Sequence, residues 1–435
     1  MKGSHEGAKA RRDNWGKIPL RYVCQLNPTV DFSEFEEDDE LTFLPMDRVK
    51  SGYFLPNTDK YSKYASSYNA FAEGDIVLAK VTPCFENGNI AIAQNLEGGK
   101  GFGSSELFVI RPKKVNHKFL FYYLQSSAFK QEGEASMTGA GGLKRVSPDL
   151  LRHHHLPCPD DESQRLIADY LDRETVRIDA LVAEKEKMLA LLEEKRAALI
   201  SRAVTRGLDP TAPLKPSGLD WLGDIPKHWD VIQVRFACPS LQTGPFGSQL
   251  HAEEYIDNGI PVINPAHLKD NKITPDYGIS IDDETADRLS VHKLREGDVV
   301  FGRRGELGRC GVVEMTQVGW LCGTGSLRVR CDQRQISPKY LALIFNGTGA
   351  AKHLTVESVG STMDNLNTEM LGHFRIPCPQ IDEQRAVVSQ IEINHVKTRN
   401  LADQLLMSVD LAKERRAALI TAAVTGQIPI EEMIR

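Results

Sequence analysis

The stretch LPCPDDESQR (Leu156–Arg165) recurs 220 residues later as IPCPQIDEQR (Ile376–Arg385). The same offset continues without a gap until KRAALISRAVT (Lys195–Thr205) is matched by RRAALITAAVT (Arg415–Thr425), where eight of eleven residues are identical. A gapless match of this length indicates an internal duplication. The chain of 435 residues is therefore predicted to consist of two copies of one structural plan.

Weaker similarities precede each copy of the shared stretch. GDIV (Gly74–Val77) matches GDVV (Gly297–Val300), and NWGKIPLRYVC (Asn14–Cys24) resembles HWDVIQVRFAC (His228–Cys238). These offsets, 223 and 214 residues, differ because the intervening loops differ in length. Each half is therefore predicted to hold a variable domain followed by a shared segment. The predicted boundaries are a polar tail at 1–13, a first variable domain at 14–155, a first spacer helix at 156–207, a linker into the second domain at 208–227, a second variable domain at 228–375, a second spacer helix at 376–426 and a C-terminal tail at 427–435.

The shared segments have the features of long helices. Neither proline nor glycine occurs from 160 to 206 or from 380 to 425. Acidic residues near each start stabilise a helix N-terminus, and Asp161 and Gln164 have the spacing of a capping box. Glycine close after each segment is a common stop signal. Each segment is predicted to form a helix of about 46 residues, roughly 70 Å long.

Apolar residues at intervals of three and four form a stripe along each predicted helix, with polar interruptions. The stripes comprise Leu171, Ile178, Leu181, Met188, Leu192 and Leu199 in the first helix and Ile391, Leu401, Leu405, Ala412 and Leu419 in the second. Because a lone helix cannot bury such a stripe, the two helices are predicted to pack on each other. An antiparallel pair would hold the variable domains at opposite ends, whereas a parallel pair would need long return connections.

The variable domains contain short runs that are typical of strands, separated by turn residues. The first has LTFLPM, GDIVLAKV, NIAIAQN and ELFVIRP, and the second has PVINPAHL, GDVVFGRRG, CGVVEM and SLRVRC. A helical stretch follows these runs in each domain. The predicted fold class is α+β, with two strand-rich domains joined by two long helices that form an antiparallel coiled coil with pseudo-two-fold symmetry.

Polar residues on flexible loops of the variable domains are candidates for contacting nucleic acid. FGRRGELGRC follows a predicted strand directly, GGLKRVS lies near the end of the first domain, and GSTMDNLN lies at the corresponding place in the second. Such loops can bring guanidinium and amide groups to phosphates or base edges. The alternative is that the charges are solvated on exposed turns and the asparagines cap turns. The candidates are Lys80, Lys144, Arg145, Arg303, Arg304, Arg309, Asn365 and Asn367.

The composition is that of an ordinary globular protein, with 41% apolar residues, 26% charged residues and a net charge of −6. This charge argues against nonspecific coating of nucleic acid but is compatible with local basic patches. The sequence contains no run of about 18 apolar residues, so it predicts no membrane helix. The N-terminus lacks the apolar core of a signal peptide. We therefore expect a cytoplasmic protein that does not bind membranes.

Neither a metal site nor a catalytic site is indicated by the motifs. The eight cysteines form no C-x-x-C pair, and the neighbouring side chains of HHH (His153–His155) would point to opposite faces of an extended segment. The sequence has no G-x-S-x-G, P-loop or H-E-x-x-H motif, and NPAH (Asn264–His267) is a poor match to a methyltransferase motif. Three hypotheses stay open, namely a DNA-reading adaptor, a coiled-coil scaffold, and a methyltransferase or nuclease with unrecognised motifs.

The order of motifs in the second half closely resembles the specificity (S) subunit of type I restriction–modification systems. The stretches that carry the resemblance are SGLDWLGDIPKHWDV (Ser217–Val231), TGPFGSQLHAEEYIDNGIPVINPAHLKDNKI (Thr243–Ile273), REGDVVFGRRGELGRCGVV and GSTMDNLNTEMLGHFRIPCPQIDEQR (Gly360–Arg385). The first half departs from this pattern, because GAGGLKRVSPDLL replaces the GST form and PFGS has no counterpart there.

The resemblance implies that each variable domain is a target-recognition domain for one half of a bipartite, asymmetric target in double-stranded DNA. It also implies that the helices set the spacing and dock two methyltransferase subunits, which carry S-adenosylmethionine, while restriction motor-nuclease subunits join for cleavage. This chain would then be no enzyme and would bind neither cofactor nor metal. The helix residues expected to support docking are Leu171, Ile178, Leu181, Leu192, Leu199, Ile391, Leu401, Leu405 and Leu419.

Overall fold

A computed structural model of the chain describes residues 15–63, 67–139, 142–269, 272–305, 307–347, 349–358 and 365–434. The predicted polar tail and much of the GSTMDNLN loop lie outside these described residues. The chain divides into two compact units, one formed by Met1–Glu186 with Leu406–Arg435 and the other by Lys187–Leu405. Each unit therefore combines one variable domain with a part of each long helix. No helix in the described ranges is long and apolar enough to cross a membrane.

The described N-terminal part of the first unit contains two four-stranded sheets and three short α-helices. Its strands are β1 (Gly16–Pro19), β2 (Cys24–Leu26), β3 (Glu40–Leu44), β4 (Thr58–Lys60), β5 (Asn69–Ala72), β6 (Ile76–Ala79), β7 (Ile90–Ile92), β8 (Lys100–Gly103), β9 (Leu107–Pro112) and β10 (His155–Cys158), and its helices are α1 (His117–Tyr123), α2 (Ser127–Ala135) and α3 (Pro148–His153). The sheet orders are β2-β9-β6-β7 and β4-β3-β8-β5, and β1 pairs separately with β10. The first long helix, α4 (Asp161–Arg206), follows β10.

The second unit repeats this arrangement in its central part. Its strands are β11 (Leu214–Pro216), β12 (Asp224–Pro226), β13 (Asp230–Gln233), β14 (Ser240–Thr243), β15 (Ile260–Ile263), β16 (Leu268–Lys269), β17 (Lys272–Ile273), β18 (Ser280–Ile281), β19 (Val299–Gly302), β20 (Cys310–Val312), β21 (Leu321–Cys322), β22 (Ser326–Arg330) and β23 (Arg375–Cys378), and its helices are α5 (Val234–Ala237), α6 (Asp283–Arg288), α7 (Pro338–Gly347), α8 (Ala350–Ser358) and α9 (Thr368–His373). The main sheet has the order β14-β22-β19-β20, and β13 pairs with β23. The second long helix, α10 (Ile381–Val424), follows β23, and the short helix α11 (Ile430–Met433) that comes after it belongs to the first unit.

The GDIV and GDVV motifs form the same local structure in both units. A glycine with positive φ, Gly74 or Gly297, turns the chain into the buried strand that follows. In the first unit, Asp75 accepts two hydrogen bonds from the Arg111 guanidinium on the neighbouring strand β9, each 2.7 Å long. Bidentate pairing offsets part of the cost of burying a carboxylate. The motif therefore recurs because it fixes the central strand pair of each main sheet.

The second unit contains the corresponding pair. Asp298 accepts hydrogen bonds of 2.7 and 2.8 Å from Arg330 on β22. Both aspartates also accept a backbone N–H from three residues upstream, at Ala72 and Arg295, each at 2.8 Å. The same side chain thus closes the turn and pairs with the adjacent strand.

The glutamine in each shared stretch joins a long helix to its variable domain. Gln164 is buried, donates from Nε2 to the carbonyl oxygen of Pro159 at 2.8 Å, and accepts the Asn116 N–H at 2.8 Å. Asn116 caps α1, so the first turn of α4 is tied directly to the start of that helix. A buried amide with both its donor and its acceptor satisfied fixes this junction.

Gln384 makes the equivalent junction in the second unit. Its Nε2 donates to the carbonyl oxygens of Pro379 and Gln335, each at 2.9 Å, and its Oε1 accepts the Ser337 N–H at 2.8 Å. Ser337 directly precedes α7, which is the counterpart of α1. The P-C-P…Q-R pattern therefore recurs in both halves because its glutamine joins the long helix to the variable domain of the same unit.

The two long helices run antiparallel in the first unit. Asp179 of α4 pairs with Arg416 of α10 at 2.9 Å, and Glu186 further along α4 pairs with Lys413 at 3.2 Å. Residue numbers therefore rise along one helix as they fall along the other. Apolar side chains pack between these segments, namely Ile178, Val182 and Val409 with Ala412 and Leu419.

The second unit contains the other ends of the two long helices, and these ends are also antiparallel. Ala203 and Val204, near the end of α4, share one core with Val387 and Ile391, near the start of α10. The end of one helix thus meets the start of the other. The predicted α+β fold with an antiparallel pair of long helices is confirmed.

Two details of the predicted helices differ in the structure. Asp160, rather than Asp161, caps α4 by accepting the Ser163 N–H at 2.8 Å, because Gln164 is turned towards Pro159. Within the stripe, Val182 is buried, whereas Leu181 is 47% exposed. A stripe read from spacing alone cannot distinguish two adjacent apolar residues, and packing against Val409 selects Val182.

The Gln384 junction gives a test of stability. Gln384→Leu would remove three hydrogen bonds and leave the Ser337 N–H without its acceptor, so the free energy of unfolding of the second unit should fall by about 2–4 kcal/mol. Gln390→Leu, at an exposed position on the same helix, is the matched control and should change it by under about 0.5 kcal/mol. Urea unfolding monitored by tryptophan fluorescence, to which Trp221, Trp229 and Trp320 of the second unit contribute, measures both variants; equal midpoints would refute the junction.

Candidate nucleic-acid interface

Two loops that are distant in sequence lie side by side in the first unit. Lys80 directly follows strand β6, and its carbonyl oxygen accepts the Val146 N–H at 2.8 Å. Thr82 completes the connection, since its N–H donates to the Lys144 carbonyl oxygen and its Oγ1 accepts the Lys144 N–H, both at 3.0 Å. The structure therefore brings together Lys80, Lys144 and Arg145, which the sequence analysis gave as candidates on two separate loops.

These three cations differ in how they are neutralised. The Arg145 guanidinium donates two hydrogen bonds to Glu106, of 2.8 and 2.9 Å. This pairing, and to a lesser extent the nearby Lys80 ammonium, holds the pKa of Glu106 below its usual value. Lys80 lies over the Phe108 ring, at 5.5 Å from the centroid, and Lys144 is exposed. Neither lysine has a carboxylate within ion-pair distance among the described residues.

The second unit contains the same backbone junction with different side chains. The Leu366 N–H donates to the carbonyl oxygen of Arg303 at 2.9 Å, which is the counterpart of the bond between Val146 and Lys80. Arg304 is exposed and donates from Nε to Asn365 Oδ1 at 3.1 Å. The predicted residues of the β19–β20 loop and of the segment before α9 are thus neighbours.

The remaining candidates of the second unit have partly structural roles. Arg303 is half-buried and donates from Nε to the Leu366 carbonyl oxygen at 3.0 Å, and burial lowers the pKa of its guanidinium. Asn367 accepts the Met370 N–H at 2.7 Å and so caps α9, the alternative role predicted for it. Arg309 is half-buried at the end of the loop, and its carbonyl oxygen accepts the Gly302 N–H. Arg304 is therefore the most accessible cation of this loop pair.

Sequence reasoning missed Thr82 and Glu106, which shape the first loop pair. Glu106 directly precedes β9, and no local pattern shows that it faces Arg145, 39 residues away. The sequence does contain a signal for Thr82. The Thr82-Pro83 step shortly after Lys80 indicates a turn, in which the threonine hydroxyl can form a hydrogen bond with the backbone.

The candidate docking residues of the long helices fall into three groups by accessibility. Leu171, Ile178 and Ile391 are buried in the cores of their own units and present no surface to a partner. Leu192, Leu405 and Leu419 are half-buried. Leu181, Leu199 and Leu401 are exposed. Further exposed apolar residues, which the stripe did not include, are Val176, Leu191, Ile393, Val396, Leu406, Met407 and Leu411.

The histidine triplet has a structural explanation. His154 is buried, with Nε2 at 2.7 Å from the Tyr123 hydroxyl and Nδ1 at 2.6 Å from Glu132, whereas His153 and His155 are exposed. Within the described ranges, no group of three or more His, Cys, Asp or Glu side chains is arranged to hold a metal ion.

The Glu106–Arg145 pair predicts a pH dependence. The pKa of Glu106 is lower in the folded chain than in the unfolded one, so the pair stabilises the fold above the unfolded pKa of about 4.3 and this contribution is lost as the pH falls through the folded pKa. Since the pair is partly exposed, Glu106→Gln should cost at most about 1 kcal/mol at pH 7. Urea unfolding of both proteins between pH 7 and 3 should show the difference shrinking at low pH; a difference that grew on acidification would contradict the assignment.

A family model for the type I restriction modification DNA specificity domain matches residues 12–189 and 229–395. The chain is 36% identical over 161 residues to the EcoAI specificity subunit of Escherichia coli. The matched stretch covers 36% of this chain and 27% of that protein. The match to the EcoEI specificity subunit of Escherichia coli is 31% identical and covers 43% of this chain and 34% of that protein. The matched part thus spans about a third or less of these two relatives.

Longer matches are more distant. The MjaVIII specificity subunit of Methanocaldococcus jannaschii is 20% identical over 420 residues, covering 95% of this chain and 92% of that protein. A solved structure concerned with complex assembly and conformational transition of the type I R-M system has a TM-score of 0.71 at 18% identity, covering 95% of this chain and 98% of its own. The HsdS subunit from Thermoanaerobacter tengcongensis has a TM-score of 0.55 at 18% identity, covering 96% and 98%. These two likenesses concern the fold.

Proposed function

The chain belongs to the type I restriction–modification DNA specificity family, and on that basis we propose that it selects the DNA sequence on which a type I complex acts. The observation that carries this proposal is the pair of equivalent loop junctions. The backbone bonds of Lys80 to Val146 and of Arg303 to Leu366 are the same, while the side chains around them differ. An equivalent backbone arrangement that carries different polar side chains is suited to two domains that recognise two different DNA sequences.

In this proposal, residues 14–155 and 228–375 are the two target-recognition domains, and each reads one half of a bipartite, asymmetric target in double-stranded DNA. Lys80, Lys144 and Arg145 approach DNA from the first domain. Arg303, Arg304, Arg309, Asn365 and Asn367 do so from the second. The lysines without a carboxylate partner suit phosphate contacts, because an ammonium already paired within the protein gains less from DNA. Arg304 and Asn365 suit base contacts, because guanidinium and amide groups match base edges.

The spacer segments 156–207 and 376–426 are proposed to set the distance between half-sites and to dock two methyltransferase subunits. The support is the row of exposed apolar side chains on both long helices, including Leu181, Leu199 and Leu401. Exposed apolar surface on a helix of this length is costly in water unless a partner covers it. The linker 208–227 leads into the second domain, and the tail 427–435 returns to the first unit, where Met433 is buried.

The chemistry is proposed to reside in the partners. The methyltransferase subunits would hold S-adenosylmethionine and methylate adenine, and restriction motor-nuclease subunits would join the complex for cleavage. This chain would contribute sequence recognition alone, with no catalytic group and no bound cofactor, and would act in the cytoplasm. Its net charge of −6 is compatible with this role if the partners supply cationic surface around the DNA.

The test of the proposed function is a genome-wide map of methylated adenines in cells with and without this chain. A single bipartite, asymmetric motif should be methylated only when the chain is present. Methylation that does not depend on the chain would refute a role in specificity and would favour a scaffold. Methyl transfer by the purified chain alone would instead show a cryptic enzyme.

The loop cations give a binding prediction. In the assembled complex, Lys144→Ala should lower the slope of log affinity against log salt by about 1, as expected for one lost phosphate contact. Arg304→Ala should weaken binding to the target more than to other sequences, by about 1–3 kcal/mol. The control is Lys60→Ala, which removes an exposed lysine of the first unit already paired with Asp38 at 2.6 Å. Fluorescence anisotropy measures the DNA affinity of all three variants. Unchanged target affinity in both Lys144→Ala and Arg304→Ala would contradict these assignments.

The spacer helices give a prediction about target length. Removing one heptad from each helix at positions related by the 220-residue offset shortens each by about 10 Å. Because a base pair rises about 3.4 Å, the unread spacer of the methylated motif should shorten by about three base pairs. Methylation mapping of the altered chain is the measurement, and an unchanged spacer would rule out the helices as the ruler.

A further inference from the structure

A buried arginine in the second unit has no carboxylate within ion-pair distance among the described residues. Arg328 of β22 is 5% exposed. Its Nη1 donates to the carbonyl oxygen of Val291 at 2.9 Å, and its Nη2 donates to Gln242 Oε1 at 2.8 Å. Its Nε has no hydrogen-bond partner in the described part of the chain. Burying a guanidinium against neutral acceptors alone costs several kcal/mol, so the position needs an explanation beyond packing.

The first unit shows that the fold does not require a cation at this place. Arg328 pairs with Val300 in the main sheet of the second unit, and Val109 pairs with Val77 at the equivalent place in the first. Val109 is fully buried within an apolar cluster. The same architecture is therefore stable with valine, and the arginine is particular to the second unit.

Arg328 is one of four cationic residues that line a pocket of about 430 Å³. The other cationic side chains that line it are those of Lys293, Arg295 and Arg330, and no acidic side chain from the described residues lines it. Lys293 pairs with Asp287 and Arg330 with Asp298. Four cations less these two carboxylates leave a net charge of two positive units at the pocket.

The polar groups of the pocket match one class of ligand. Arg295 is exposed at the rim, and the structure records no ion pair for it among the described residues. Ser290 and Gln242 add neutral hydrogen-bonding groups. Several guanidinium- and ammonium-bearing residues in the lining of one pocket, with no acid among its described lining residues, favour a tetrahedral oxyanion, which accepts several charge-assisted hydrogen bonds at once. We propose that this pocket binds a phosphate group.

The pocket is separate from the loop pair described above. Arg303 follows the last residue of β19, whereas Lys293 and Arg295 precede its first residue, Val299. The ligand has two sources with the same chemistry, namely free phosphate and a phosphate of the DNA backbone. Binding of free phosphate is independent of the proposed function, whereas binding of a DNA phosphate rests on it.

The first arm of the test uses inorganic phosphate and the full chain, with its partner subunits where these are needed to keep it folded. Isothermal titration calorimetry at low ionic strength should show one site, and Arg295→Ala should weaken it at least tenfold. Arg328→Val, which restores the residue type of the first unit, should do the same without disrupting the sheet. Arg334→Ala removes an exposed arginine paired with Asp332 outside the pocket and should leave phosphate affinity unchanged.

The second arm distinguishes the two sources. If the pocket holds a backbone phosphate, target duplex should displace inorganic phosphate, and Arg295→Ala should lower the salt slope of DNA affinity by about 1. If it holds the free ion, Arg295→Ala should abolish phosphate binding and leave the DNA salt slope unchanged. Absence of phosphate binding by the folded chain, or a phosphate affinity in Arg295→Ala and Arg328→Val equal to that of the unaltered chain, would overturn the pocket. Loss of all sequence-specific DNA binding with phosphate binding intact would refute the proposed function alone.

Discussion

The buried side-chain amide at the start of each long helix is the constraint on which the rest of the structure depends. Gln164 and Gln384 each satisfy a backbone donor and a backbone acceptor from two different segments. An amide in this position fixes both the direction in which the helix leaves and the place of the short helix that supports the main sheet. Because the same residue makes the same bonds twice, each unit starts from one frame on which different loops are built.

The main sheets extend this frame to the candidate interfaces. The Asp75–Arg111 and Asp298–Arg330 pairs hold the central strands, and the strand after each aspartate ends directly before Lys80 or Arg303. One backbone hydrogen bond then ties each of these residues to the loop before the shared stretch. The differing side chains are thus carried by backbone segments that the same hydrogen bond joins in both units, which allows a duplicated fold to present two unlike surfaces.

The sequence was sufficient to predict the duplication, the α+β class, the two long helices and the loops that carry the candidate residues. These follow from local signals, namely a gapless repeat, a long interval without proline or glycine, and glycine-rich turns after apolar runs. It could not show which side chains are already engaged. Arg145 is paired with Glu106 and Asn367 caps α9, and both contacts depend on the folded path of the chain. Nor could spacing decide between Leu181 and Val182 for the helix interface, since that choice depends on the facing helix.

We propose that the two variable domains recognise DNA independently of each other, each on an equivalent frame. This proposal is tested most directly by replacing residues 228–375 with a second copy of residues 14–155 and mapping the methylated motif of the assembled complex. The expected motif has two half-sites with the same sequence, because both junctions would then carry the same loops. An unchanged asymmetric motif in a folded, methylating complex would contradict it.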